Sequence, residues 1–214
     1  MTTEVKQSGR LIVVAAASGA GKTSLVSALI HAMPSVEVAI SHTTRPRRSN
    51  EQHGEDYFFV SEDEFHDMQQ ADKFIESALV FDNLYGTSRM EMDRILARGR
   101  HLILEIDWQG AQQIRNSVSA AELVYIMPPS LHALRERLLT RAQDDITTVD
   151  QRMALAVDEM SHYDEFDYLV INDDFDQALA DLRAIVDNRG EALTLRNQTQ
   201  RHQDLVNELT TASR

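Results

Sequence analysis

Cysteine is absent from the 214-residue chain. That excludes disulfides, thiolate-bound zinc and a cysteine nucleophile, so any metal must sit on oxygen or imidazole ligands. It also fits a reducing compartment, and the expected location is cytoplasmic. Long apolar runs are absent too. The longest, Leu11 to Ala17, falls far short of the roughly 20 residues of a membrane-spanning helix, and the N-terminal residues lack the apolar stretch of a secretion signal. Positive charge is scarce: 21 Lys and Arg stand against 34 Asp and Glu, a net charge of −13. Such a chain repels a phosphate backbone, so neither nucleic acid nor membrane is expected as a partner, while small anions remain open wherever basic residues cluster. Glycine is also sparse, at eight residues, so two glycines one residue apart ask for an explanation.

What is present is an ordinary globular composition, 43% hydrophobic and 26% charged, enough for a sizeable core in one compact unit with insertions. Leu11 to Ala15 is continuously apolar, as a parallel strand covered on both faces should be. A Gly-containing turn follows, and helical spacing resumes at Leu25, Val26, Leu29 and Ile30 until Pro34. Further strands are expected at Val36 to Ile40, Tyr57 to Val60, His101 to Ile106, Leu123 to Met127 and Tyr168 to Asn172. Ser61 with Glu64 and Ser88 with Glu91 spell capping boxes, Ser130 and Thr148 open further helices, and Gly99 ends the helix begun at Ser88. Met153, Leu155, Ala156 and Met160 read as core at helical spacing. The alternation predicts an α/β fold with a mainly parallel, doubly wound sheet. Its ligands should lie beyond the strand ends, after Ala15, Ile106 and Ile171.

The first such end carries Ala16-Ala17-Ser18-Gly19-Ala20-Gly21-Lys22-Thr23-Ser24. This nearly matches the P-loop pattern G-x-x-x-x-G-K-[ST], with Ala16 in place of the first Gly, and it has the required strand before it and helix after it. Gly19 and Gly21 let successive N–H groups turn inward on an anion at a helix N-terminus. Lys22 would reach β- and γ-phosphate oxygens, and the Thr23 hydroxyl would ligate Mg²⁺. A second cluster, Ser41-His42-Thr43-Thr44-Arg45-Pro46-Arg47-Arg48, places three guanidinium groups within four positions. Arg45 and Arg48 suit bidentate binding of a second phosphate, with Tyr57 and Tyr85 as neutral donors.

Together, SGAGKTS, SHTTRPRR, HGEDYFFVS, FIESA, LYGTS, EIDWQG, RAQDD and VINDD resemble the guanylate kinase family of P-loop nucleoside monophosphate kinases, in its bacterial form, colinearly from about Leu11 to Ala184. The resemblance implies transfer of a phosphoryl group from ATP to GMP, with dGMP as a further acceptor and Mg²⁺ as cofactor, in purine nucleotide metabolism and GMP recycling. It implies one domain with a core (9–40, 88–134, 163–190), a GMP-binding insertion of mixed α/β character (41–87), a mobile lid (135–162) and a C-terminal helix (191–214). Residues 16–24 and Asn172 would bind ATP, with Asp173 beside Asn172 at the adenine. Ser41, Glu76, Thr87 and Asp107 would surround guanine, and Arg45, Arg48, Tyr57, Tyr85 and Gly86 would complete the GMP site. Lys22, Arg48, Arg141 and Arg152 would be catalytic, the last two as lid arginines.

The sequence departs from the family pattern at Arg47, Asn50 and Leu84, and at Ala142, which leaves the lid hinge undetermined. The oligomeric state stays open, as does the division of metal and base roles between Glu105 and Asp107. Two other readings compete. One is a guanylate-kinase-like interaction module holding a phosphorylated peptide, against which Lys22, Thr23, Arg141 and Arg152 stand. The other is a different small-metabolite kinase, against which Ser41, Glu76 and the paired arginines stand.

Overall fold

The computed structural model describes residues 9–80, 82–142 and 146–211, and for 141, 142 and 146–148 it describes the backbone alone. In chain order the elements begin with β1 (Leu11–Ala16), α1 (Lys22–Ala32), β2 (Val36–Val38), β3 (His42–Thr43), β4 (Phe58–Phe59), α2 (Glu62–Gln70), β5 (Phe74–Val80), β6 (Asn83–Ser88) and α3 (Arg89–Leu96). There follow β7 (His101–Glu105), α4 (Trp108–Ser117), β8 (Glu122–Met127), α5 (Leu131–Ala142), α6 (Ile146–Ser161), β9 (Tyr168–Ile171), α7 (Phe175–Val186), α8 (Leu195–Arg201) and α9 (Gln203–Thr211). The chain divides into two compact units. One comprises Met1–Leu11, Ser35–Leu104 and Gln109–Ala121, and the other Ile12–Pro34, Glu105–Trp108 and Glu122–Arg214.

The second unit is built on parallel ladders. Strand β1 pairs with β8 from Ile12↔Glu122 to Ala16↔Ile126, and β8 pairs with β9 from Val124↔Tyr168 to Met127↔Ile171. Val13, Val14, Ala15, Val124, Ile126 and Val170 are fully buried, which is why these strands are apolar throughout rather than alternating. Leu25, Val26 and Leu29 face inward from α1, which packs on α7 and its buried Ala178, Leu182 and Ile185. Ser130 caps α5, its hydroxyl accepting the Ala133 N–H at 3.0 Å.

Two expectations need correction in this unit. Leu155 is 49% exposed, because the buried stripe of α6 runs through Val149, Ala156 and Met160, and a neighbour one residue along a helix points about 100° away. The C-terminal stretch is not one helix. A 3-10 turn (Glu191–Leu193) leads into α8, and the chain breaks at His202 (φ −118°, ψ 31°) before α9. The break lets Gln198 on one side and Val206 and Leu209 on the other all become buried.

In the first unit β2 and β7 pair in parallel, Val36↔His101 to Val38↔Ile103. A separate mixed sheet has the order β4-β3-β6-β5, with β3 and β4 parallel and the other pairs antiparallel. Its β5–β6 hairpin, with Asp82 at φ 60° in the turn, was not anticipated by the strand readings. Ser61 caps α2 by accepting the Glu64 N–H, and α2 buries Phe65 against Phe74, ring centroids 4.5 Å apart. Ser88 caps α3 in the same way, accepting the Glu91 N–H at 3.2 Å. Among the described residues no helix is long and apolar enough to cross a membrane.

The α3 cap carries a charge pair whose effect on stability depends on pH. Buried Glu91 accepts bonds from Arg94 Nε at 2.8 Å and Nη2 at 2.7 Å. That guanidinium holds the carboxyl below its ordinary range, against the opposing effect of burial. A folded-state value below the unfolded one means that the stabilisation is fully present at neutral pH and is lost as pH falls through the lowered value. Glu91→Gln should therefore lose about 1 to 3 kcal/mol in urea denaturation at pH 7. The difference from the parent should shrink at acid pH, where the parent carboxyl is protonated. A gap that stays constant with pH would contradict the assignment.

Candidate active site

The loop between β1 and α1 curls because Gly19 (φ 88°) and Gly21 (φ 98°) take a left-handed backbone that other residues adopt only with strain. Space enforces the same choice. A Cβ on Gly21 would stand 2.3 Å from Asn172 Nδ2, and one on Gly19 would stand 3.0 Å from both Leu134 and Leu138. The loop's outward carbonyl at Ala20 accepts from Asn172 Nδ2 at 2.7 Å and from Arg137 Nη1 at 3.2 Å, while Arg137 Nη2 reaches the Asn172 carbonyl at 3.0 Å. Lys22 and Thr23 begin α1. Lys22 Nζ donates to the Ile106 carbonyl at 2.8 Å, and the Thr23 hydroxyl donates to Glu105 Oε1 at 2.5 Å.

Beside the loop lies a cavity of about 440 Å³ lined by Gly19, Gly21, Ser24, Arg137, Asn172 and Phe175, among others. Ala16 ends β1, Ala17 is buried, and Ser18 donates its N–H to Glu159 Oε2 at 2.9 Å. All nine expected loop residues and Asn172 thus gather in one place in the second unit. Burial raises the Glu159 carboxyl, opposed by the Ser18 N–H and the Lys22 ammonium, with Asp107 close enough to raise it further.

The first unit assembles the other set. Ser41 Oγ and Thr87 Oγ1 are 3.2 Å apart. Glu76, only 4% exposed, pairs with Thr87 across β5 and β6 just past a register shift, so the two side chains share one face of the sheet. A Cβ on Gly86, beside them, would press on Phe74 at 3.0 Å and Phe65 at 3.1 Å. Arg45 lies over the rings of Tyr57 (5.6 Å) and Phe59 (5.8 Å) and pairs with Glu51 Oε1 at 2.7 Å. Bonding to Glu51, and then to Tyr85, raises its already high pKa. The Tyr57 and Tyr85 rings meet edge-on at 6.0 Å. Arg48 is different: its side chain is 70% exposed and stands 4.0 Å from Glu51, whose other oxygen accepts the Arg48 N–H at 2.8 Å.

Asp107 falls in the second unit, near Glu159, and not in the unit of Ser41, Glu76 and Thr87. Arg152 is half-buried on α6. Arg141 lies on the last turn of α5, and its side chain is outside the described residues. No group of three or more His, Asp or Glu among the described residues gathers as a metal site. The Thr23 hydroxyl and Glu105 carboxylate are nonetheless hard oxygen donors of the kind that hold Mg²⁺ together with phosphates and water.

A family model described as guanylate kinase matches residues 8–189 of this chain. The chain belongs to the guanylate kinase family. Curated guanylate kinases of Escherichia coli strain K12 and Yersinia pestis bv. Antiqua are each 51% identical to it over 203 residues, which is 94% of this chain and 97% of theirs. A crystal structure of guanylate kinase from Anaplasma phagocytophilum superposes with a TM-score of 0.71 at 26% identity, covering 92% of this chain and 95% of that one.

Within that family frame, the structure adds three residues that the motifs did not single out. Arg137 stands one helical turn before Arg141 on α5, and its guanidinium donates to the Ala20 and Asn172 carbonyls. Glu51 and Glu159 each sit against a basic residue or a loop amide. Both were hidden among the 34 acidic residues of the chain, where a single carboxylate carries no signal.

Of the two loop glycines, Gly21 is the more sensitive to one added methyl, with Asn172 Nδ2 at 2.3 Å against 3.0 Å for the nearest neighbours of Gly19. Gly21→Ala should cost about 1 to 3 kcal/mol of stability from the positive φ alone. In an Asn172→Ala background the cost should be smaller, because the 2.3 Å approach to Asn172 is gone. Chemical denaturation of the two single variants and the double variant measures this. Strict additivity would contradict the close approach.

Proposed function

We propose that this chain transfers the γ-phosphoryl group of ATP to GMP, giving ADP and GDP, as its family membership and its two anion sites together support. The observation that carries the reading is the pairing of a glycine-curled phosphate loop, complete with Lys22 and Thr23, with a buried Glu76 beside Thr87 and Ser41. The use of dGMP as an alternative acceptor and a cytoplasmic location belong to the same reading.

Phosphoryl transfer demands that the nucleotides be held in line and that the charge spread over three equatorial oxygens be neutralised, with little covalent work for the protein. The amides from Gly19 to Thr23 hold the triphosphate at the start of α1, where the helix dipole is positive. Lys22 exchanges its bond to the Ile106 carbonyl for one to a phosphate oxygen. Thr23, with Glu105 behind it, would hold Mg²⁺, which would supply positive charge to offset that of the phosphates. The cavity at Asn172, Arg137 and Phe175 takes the adenosine end, with Asp173 beside it. Arg141 and Arg152 close over the phosphates from α5 and α6.

In the first unit, Arg45 and Arg48 take the GMP phosphate, aided by the Tyr57 and Tyr85 hydroxyls, while Glu51 keeps the Arg45 guanidinium ordered before substrate arrives. The attacking group is an oxygen of that phosphate. It is ionised near neutral pH, so no strong base is needed. Glu76 accepts the adjacent N1 and N2 donors of guanine in parallel, with Ser41 and Thr87 as further partners of the base. Adenine presents a lone pair at N1 and no N2 amine, so the same carboxylate rejects it.

Base reading is therefore the direct test. Glu76→Gln keeps the shape but places an amine donor opposite a guanine donor. It should lower kcat/KM for GMP by roughly 10- to 1,000-fold in a coupled assay of ADP formation. The GMP-to-AMP preference should shrink at the same time. If both activities fell by one common factor, Glu76 would be structural and the discrimination would lie elsewhere.

A further inference from the structure

Glu159 touches the phosphate loop and the sheet at once. Its carboxylate accepts the Ser18 N–H at 2.9 Å, and its own carbonyl accepts the buried Tyr125 hydroxyl at 2.8 Å. Tyr125 is the ladder partner of Ala15, three residues before Ser18. Strand β1, strand β8 and helix α6 are thereby joined in a closed circuit where β1 ends and the loop begins to curl. The same helix carries Arg152 seven residues earlier, which is about two turns and hence on the same face.

A carboxylate in this place is costly. Burial disfavours its charge, the Ser18 amide and Lys22 oppose that effect, and the neighbouring Asp107 and Asp158 add to it. A neutral side chain would avoid that cost, so what the position gains is the strong bond from a charged acceptor to one amide. That amide belongs to the residue just before Gly19, whose φ of 88° starts the curl. Holding the Ser18 peptide fixes the direction in which the following amides point.

We propose that Glu159 is a positioning residue that ties helix α6 to the phosphate loop through the Ser18 amide, presetting the loop for the donor triphosphate and coupling it to the helix that bears Arg152. This rests on the reading of the loop as the ATP site. The effect falls on the donor, because the amide that Glu159 holds belongs to the phosphate loop.

The experiment compares the parent with Glu159→Ala and Glu159→Gln. ADP affinity is measured by calorimetry, and steady-state kinetics are measured with ATP and GMP varied in turn. Glu159→Ala should weaken ADP binding and raise the KM for ATP by about 10-fold, and should leave the KM for GMP within about two-fold. Glu159→Gln retains an oxygen acceptor for the Ser18 N–H and should recover part of the loss, falling short of the parent because the bond to a neutral acceptor is weaker. Should the alanine variant not fold, Glu159→Asp, one methylene short of the amide, is read in its place by the same criteria. Three results would overturn the proposal: ADP affinity unchanged or tighter in the alanine variant, equal rises in both KM values, or a glutamine variant no better than alanine. Failure of the parent itself to bind ADP would refute the ATP-site reading instead.

Discussion

The carbonyl of Ala20 is the point on which the phosphate loop depends. A loop can aim a run of N–H groups at an anion only if its carbonyls find donors on the other side. Here Asn172 and Arg137 supply those donors at 2.7 and 3.2 Å. Asn172 sits one residue past β9 and donates its own N–H to the Met127 carbonyl at 2.8 Å, so the sheet itself sets the side chain's position. The glycines follow from this arrangement, because the close approach of Asn172 leaves no space at Gly21 and the curl demands positive φ at Gly19 and Gly21. Lys22 then starts α1 with its ammonium at the end of β7, where the sheet delivers the Ile106 carbonyl and the Glu105 carboxylate.

In each unit one cation is held in place before substrate arrives. The chain carries a net −13, so a diffuse basic surface is not how it attracts phosphate. Arg45 is held by Glu51 and flanked by Tyr57 and Phe59, and Lys22 is held by the Ile106 carbonyl. A preformed pair of this kind fixes the geometry of the cation before substrate binds and reduces the ordering that binding must supply. Arg48, which is largely exposed, lacks this preparation, and the local backbone is held instead by the bond from its N–H to Glu51.

Much of this was legible in the residues. Strand β1, the capping boxes at Ser61 and Ser88 and the phosphate loop all declare themselves through local patterns, and local patterns are what a single sequence carries most clearly. The clustering of Ser41, Thr87 and Glu76 came from family resemblance, and the antiparallel register of β5 on β6 supplies its physical basis. The hairpin itself was missed because β5 mixes buried Phe74 and Ile75 with a buried acid and the 60% exposed Leu79, which blurs any alternation. Arg137 and Glu159 were missed because their partners, Ala20 and Ser18, lie 117 and 141 residues away in the chain. The break at His202 was missed because a polar helical stretch gives little sign of where its apolar residues must turn inward.

Selection of nucleotides by the donors and acceptors of the two sites is the central claim about this molecule. Measuring ADP formation from ATP with GMP, AMP, CMP and UMP in parallel tests this most directly. kcat/KM for GMP should exceed that for each of the others by at least about 10²-fold, because a buried carboxylate needs two adjacent donors. Turnover of AMP within a few-fold of GMP would contradict it.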